Sequence, residues 1–213
     1  MVAACMDSVR VFYKNYPLGF VDTLTGAGRY FAFHIPFIFR RVCCCEKSQI
    51  PNLIQVSEQL YRGGQPNKEG FETLCQRYDV KTIVNLRVVD SDKALLKEAN
   101  LSDQVESHLV YFDPDTGKED PDVTRQAAQN AAMAFLRIMK ESSGVVFLHC
   151  YYGKERTGTL VAIERMVFEN WSSEDAIAEL RSDPDFHEKR HPQLVPFVQG
   201  FDVAAAKRQL KID

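Results

Sequence analysis

From about Asn52 onward the apolar positions recur with two periods in turn. LIQVS and the LYR that follows it are short apolar stretches that predict strands, closed by the turn-forming GGQPN. After that turn Phe71, Leu74, Cys75 and Tyr78 fall at i, i+3, i+4 and i+7, which predicts a helix with that face buried. The strand VKTIVNL comes next, then a charged helix from about Ser91, the strand HLVYF, and a loop rich in acid and glycine. A long helix opens near Asp122, read as its N-cap, and carries Ala128, Ala131, Ala132, Phe135, Leu136 and Met139 as one apolar stripe. VVFLH is apolar without alternation, the pattern of a strand buried on both faces, and TGTLVAIERMVF leads away as a helix packed on it. Ser172-x-x-Asp175 is a capping signature for a further helix, SSEDAIAELR. Strands and helices that alternate in this way predict an α/β layered domain.

The first fifty residues follow another pattern, with aromatics, scattered bases and no clear period, and are expected to be an appended segment; the domain proper is expected over residues 51–213. Within the segment YFAFHIPFIFRRVCCC joins an apolar stretch, two arginines and three consecutive cysteines. Its first reading is structural, with the aromatics covering the domain. The second is peripheral membrane attachment through residues 30–45, with Phe31, Phe33, Ile35, Phe37, Ile38 and Phe39 at the interface, Arg40 and Arg41 on anionic head groups, and Cys43 to Cys45 as acylation sites. The run from Tyr30 to Phe39 is far short of the roughly 20 residues that span a bilayer.

Composition narrows the classes. The 213 residues, 45% hydrophobic and with a net charge of −3, suit one soluble domain and exert no global pull on nucleic acid, so any preference for anions must be local. The six cysteines show no CxxC or zinc-knuckle spacing, which argues against a disulfide framework and a metal site and for a reducing, cytoplasmic location. No secretory signal is legible in MVAACMDSVRVFYKNYP.

Local chemistry concentrates in FLHCYYGKERTG, Phe147 to Gly158. A loop that leaves the carboxyl end of a buried strand and opens a helix gathers unpaired N–H groups and positive potential, and is where open α/β sheets bind anions. Cleavage of a phosphate ester through a covalent intermediate needs an in-line nucleophile, donors around three equatorial oxygens and an acid for the leaving oxygen. Cys150 supplies the nucleophile, because a helix N-terminus beside a cation favours the thiolate. Arg156 offers a planar fork for two phosphoryl oxygens. Gly153 permits a positive φ and close backbone approach, and Gly158 lets the helix pack on the strand. Thr157 can place its hydroxyl by the sulfur, while His149 is expected to fix backbone geometry.

HCYYGKERTG resembles the His-Cys-x5-Arg-Thr/Ser signature of cysteine-dependent protein tyrosine and dual-specificity phosphatases. LYRGGQPNKEGFETL, KTIVNLR and NWSSEDAIAELR extend the likeness to the compact bacterial and plant branch, over about Asn52 to Phe201. The resemblance implies a central, mostly parallel sheet of about four or five strands with helices on both faces, and metal-independent, cofactor-free hydrolysis. It implies that the loop residues Tyr151, Tyr152, Gly153, Lys154, Glu155 and Arg156 bind the phosphate. The acid in that family is an aspartate on a mobile loop upstream of the cysteine. Pro114-Asp115-Thr116-Gly117 looks like the Trp-Pro-Asp-x-Gly loop, with Asp113 in place of the tryptophan; Asp115 is the choice, and Asp113 and Asp120 are the alternatives.

Substrates fall into two groups on this likeness: phosphotyrosine or phosphothreonine proteins, and phosphoinositides or inositol polyphosphates. Lys154 resembles the loop lysine of the second group, while Tyr151 departs from the lysine that often follows the cysteine there. The rival reading from another class is a catalytically inactive phosphate-binding module of the same fold. Arg62 and Arg87 at strand ends, Cys75 on its helical face and the charged run His187 to His191 are read as structural or solvated.

Overall fold

A computed structural model describes residues 40–41, 49–89, 92–113, 121–184 and 186–212, all within one unit, Phe37–Asp213. Its strands are β1 (Arg40–Arg41), β2 (Ile54–Gln55), β3 (Leu60–Gly63), β4 (Val80–Asn85), β5 (Glu106–Leu109) and β6 (Val145–His149). They form a sheet of order β1-β2-β3-β6-β4-β5. The pairs β3–β6, β6–β4 and β4–β5 are parallel, and the two-residue β2 and β1 add antiparallel pairs beyond β3. The mostly parallel α/β sheet expected from the sequence is therefore the one observed.

Strand β6 lies at the centre, and its side chains alternate between two cores, as the pleat requires. Val146 and Leu148 join Val84 of β4 in the larger core, with Ala128, Phe135, Leu136, Leu160, Ile163, Ile177 and Val198. Phe147 joins Ile83 of β4 on the opposite face with Phe71, Leu74 and Leu96. The helices divide accordingly. α1 (Lys68–Arg77) and α2 (Asp92–Glu98) feed the smaller core; α3 (Pro121–Glu141), α4 (Glu155–Phe168), α5 (Ser173–Ser182), α6 (Leu194–Gln199) and α7 (Val203–Leu210) feed the larger.

Two helix starts have a plain local cause. The Asn67 side chain accepts from the Gly70 amide at 2.8 Å and opens α1; Ser172 accepts from the Asp175 amide at 3.1 Å and opens α5, as its sequence signature required. α4 is different. Thr157 to Val167 are all buried, so this helix is enclosed on every side, between the sheet and the outer helices, instead of showing an apolar stripe.

Three local readings are corrected. The ladder of β5 covers Glu106–Leu109, two residues upstream of HLVYF, although the Val110 amide still donates to Asn85 O at 2.8 Å. At the sheet edge this strand has one neighbour only, and its Glu106 and Leu109 are exposed, so apolar spacing marks its ends poorly. α3 begins at Pro121, a residue whose fixed φ suits the first helical position, and this places Asp122 inside the first turn rather than at the cap. α6 and α7 were not anticipated, because six- and eight-residue helices carry too few turns to show a period. Of residues 30–45 only Arg40 and Arg41 are described, as the strand β1; the remainder of the expected interfacial segment, including Cys43 to Cys45, lies outside the described residues. Among the described residues no helix is long and apolar enough to cross a membrane.

Candidate active site

The loop after β6 is built against the turn after β3. Gly153 has φ +73°, and a Cβ on it would stand 2.1 Å from the backbone carbon of Gly63, so both the conformation and the contact require glycine. A Cβ on Gly64 would likewise meet Tyr151 O at 2.8 Å. The paired glycines of GGQPN are thus the seat of the loop, a role that their reading as a simple turn did not include.

Carbonyls of the loop are drawn outward. Tyr151 O accepts from the Gln65 amide at 3.0 Å, and Tyr152 O accepts from Asn52 Nδ2 at 2.8 Å. With these two carbonyls tied to neighbouring segments, the Gly153 N–H donates to Cys150 Sγ at 3.2 Å. Cys150 is 3% exposed, at the mouth of α4, whose first turn is closed by the Gly158 amide on Lys154 O at 2.6 Å. Successive inward amides at a helix N-terminus form an anion-binding concavity.

Around the sulfur the other expected residues take different stations. Arg156 is half-buried, and its Nη1 lies 3.4 Å from Leu86 O, so the guanidinium bridges the loops that end β6 and β4. Thr157 is fully buried, and its Oγ1 has no hydrogen-bond partner among the described residues. Lys154 and Glu155 are half-buried at the start of α4. Tyr151 and Tyr152 are 51% and 61% exposed, with rings packed edge to face at 4.7 Å, and form an aromatic rim. The Arg87 guanidinium sits 5.1 Å from the Tyr151 ring centre and gives that rim a second cation source.

Beneath the loop, His149 is completely buried. Its Nδ1 lies 3.2 Å from Cys150 O and its Nε2 2.9 Å from Asp92 Oδ2. Asp92 is also fully buried, at the start of α2. Burial pushes its carboxyl up, but hydrogen bonds from His149, the attraction of that ring, and bonds from Gln65 and Asn85 outweigh burial and hold it below the ordinary range. Sequence reasoning missed Asp92 and Gln65, since an acid at a helix start and a glutamine in a turn are common without function. Arg62 is structural, as read, in a 2.5 Å ion pair with Asp183.

Of the acid candidates, Asp113 is described: it follows β5, half-buried, and accepts from the Tyr111 hydroxyl at 3.4 Å. Asp115 and Asp120 lie outside the described residues. Cys75 is half-buried on α1, and burial pushes its thiol up to about 11, the mark of a packing residue.

Comparison with known proteins places this geometry. A family model described as "DSP-PTPase phosphatase fused to NAD+ Kinase" matches residues 39–194. The dual specificity protein phosphatase TpbA of Pseudomonas aeruginosa is 32% identical over 152 residues, which cover 71% of this chain and 63% of TpbA. The chain thus spans less than two thirds of that relative. The inositol diphosphatase DSP5 of Arabidopsis thaliana is 27% identical over 163 residues, 75% of this chain and 74% of DSP5. The crystal structure of P. aeruginosa TpbA in complex with pTyr superposes with a TM-score of 0.64 at 26% identity, over 84% of this chain and 98% of that one. By sequence and by fold, the chain belongs to the DSP-PTPase family of dual-specificity phosphatases, within the cysteine-dependent phosphatase superfamily.

Proposed function

We propose that this chain hydrolyses phosphate monoesters through a cysteinyl-phosphate intermediate, with Cys150 as nucleophile. The observation that carries the reading is the Gly153 amide aimed at Cys150 Sγ from 3.2 Å within a loop whose carbonyls are tied outward. Donors so arranged stabilise a thiolate in the free protein and phosphoryl oxygens in the complex.

In the first step the Cys150 thiolate attacks phosphorus opposite the ester oxygen, the S–P bond forms and the P–O bond breaks. The leaving oxygen takes a proton from an aspartic acid, which we assign to Asp115, with Asp113 and Asp120 as the alternatives. Loop amides from Tyr151 to Glu155 and the Arg156 fork hold the equatorial oxygens. In the second step that aspartate, now ionised, takes a proton from water, the oxygen attacks phosphorus, and the S–P bond breaks. The Thr157 hydroxyl donates to the departing sulfur, and the products are an alcohol or phenol and inorganic phosphate. Loop amides and Arg156 provide the charge stabilisation that metals give other phosphatases, so turnover should persist in excess chelator.

The aromatic rim of Tyr151 and Tyr152 supports a phosphotyrosyl substrate, as in the TpbA complex. A second reading rests on Arg87 and Lys154, two cations near the mouth beyond Arg156, which suit the additional phosphates of an inositol phosphate, the substrate class in the name of DSP5. Phosphate release from phosphotyrosine and phosphothreonine peptides, phosphoinositides and soluble inositol phosphates, each with wild type and Cys150→Ser, tests the function and separates the substrates. Turnover by wild type alone is the expected result. Binding without turnover by both proteins would identify an inactive phosphate-binding module instead. Residues 1–50 are proposed as a segment appended to the catalytic domain at 51–213, one that adds its strand β1 (Arg40–Arg41) to the edge of the domain's sheet.

A further inference from the structure

The buried pair beneath the loop is an anion and a ring with acceptors on both sides. His149 Nε2 faces the Asp92 carboxylate at 2.9 Å, and Nδ1 faces the Cys150 carbonyl at 3.2 Å. Neither partner can donate, so both ring nitrogens must carry protons for both bonds to form. The ring that fits this site is therefore the imidazolium, a cation with no exposure to water and one residue from the sulfur.

Asp92 is itself held firmly. Its Oδ1 accepts from Gln65 Nε2 at 2.7 Å, and Gln65 Oε1 in turn accepts from Arg87 Nη1 at 2.5 Å. Gln65 also donates its amide to Tyr151 O, and Asn85 adds a further side-chain bond to Asp92. Turns that end β3, β4 and β6 thus meet on one carboxylate.

We propose that Asp92 is a positioning residue of the catalytic loop, whose buried carboxylate keeps His149 as a two-donor cation that pins the Cys150 carbonyl outward and favours the thiolate. This rests on Cys150 being the nucleophile. The peptide carbonyl of Cys150, bonded to Nδ1, cannot rotate into the anion well, so the amides that follow stay directed at the sulfur. In Asp92→Asn the neutral ring can donate from Nδ1 to the Cys150 carbonyl while its Nε2 accepts from the asparagine amide, so the variant removes the charge and keeps both contacts. The other charged groups carried by the elements that end at this edge are Arg87 after β4, Asp113 after β5, and Lys154, Glu155 and Arg156 at the start of α4. None of them reaches His149 in the hydrogen bonds described, which leaves Asp92 as its counter-charge.

Iodoacetamide labelling of Cys150 across pH, read by mass spectrometry, measures thiolate without requiring turnover. In Asp92→Asn the labelling curve is expected to move up by about one pH unit, a roughly tenfold loss of thiolate on its acid side. kcat on a phosphate monoester should fall in the same pH range, with KM changed less than about twofold. A folded Asp92→Asn protein with an unmoved labelling curve overturns the proposal. A wild-type curve indistinguishable from an ordinary exposed thiol would instead remove the nucleophile assignment on which it rests. Should Asp92→Asn fail to fold, nitrogen NMR of the folded wild-type chain with labelled histidine decides: donation from both ring nitrogens of His149 is expected, and a single neutral tautomer overturns it.

Discussion

Glu164 lies on the enclosed helix α4, 4% exposed, and its Oε2 has no hydrogen-bond partner. The next residue explains why. Arg165 is fully buried yet already committed: it pairs with Glu169, reaches Glu179 at 3.2 Å, donates to Val56 O at 3.0 Å and lies 4.9 Å from the Trp171 ring. Burial, and then repulsion from Glu169 and Glu179 against the attraction of Arg165, pushes the Glu164 carboxyl from 4.5 up to about 8. The folded state therefore keeps a proton that the unfolded chain gives up. Below about pH 4.5 both states hold it and stability is unaffected; as pH rises from there to about 8 the unfolded state binds fewer protons, so stability falls, and above about 8 the loss is complete. At about 1.4 kcal/mol per pH unit, the cost is on the order of 3 kcal/mol at pH 7 and under about 1 kcal/mol at pH 5. Glu164→Gln retains shape and removes the titration. Urea denaturation at both pH values should show the variant gaining stability relative to wild type by roughly 2 to 3 kcal/mol between pH 5 and pH 7, about a 1 M shift in midpoint. A difference between variant and wild type that does not change with pH would refute the reasoning.

What the sequence disclosed, and what it hid, follows from how far each feature extends along the chain. Strands β4 and β6 and helices α1, α3, α4 and α5 were legible because each holds several consecutive positions in one environment, and periodicity records that. The loop was legible for the opposite reason: Cys150, Gly153, Arg156 and Thr157 lie within eight residues, so one local run contains most of the chemistry proposed above. The support of that loop was hidden. Gly63 and Gly64 beneath the loop, Gln65 on Tyr151 O and Asp92 on His149 stand 57 to 90 positions away from their partners and meet only through the parallel crossovers. Glu164 was hidden too, since a single acid inside TGTLVAIERMVF carries no sign of its own burial, and only the enclosure of α4 makes it costly.

Three further outcomes are expected. Gly153→Ala forces a Cβ to within 2.1 Å of Gly63 at φ +73°, so it should abolish turnover and lower Tm by several degrees, at a cost of about 2 kcal/mol or more; wild-type kinetics would show that the loop tolerates another conformation. Lys154→Ala should weaken turnover of inositol polyphosphates far more than of a phosphotyrosine peptide, by about tenfold against twofold, and equal losses would reduce Lys154 to a general electrostatic contributor. For the acid, Asp115→Asn should lose about 100-fold in kcat on an alkyl phosphate, whose leaving oxygen needs a proton, and much less on a nitrophenyl phosphate, whose leaving oxygen does not. It should also flatten the basic limb of the pH profile, because that limb reports the protonated acid. Asp113, held by the Tyr111 hydroxyl four residues past the end of β5, is the described residue that could take this role instead. If Asp113→Asn gives the leaving-group dependence and Asp115→Asn does not, the acid is Asp113, two positions nearer β5 in the sequence.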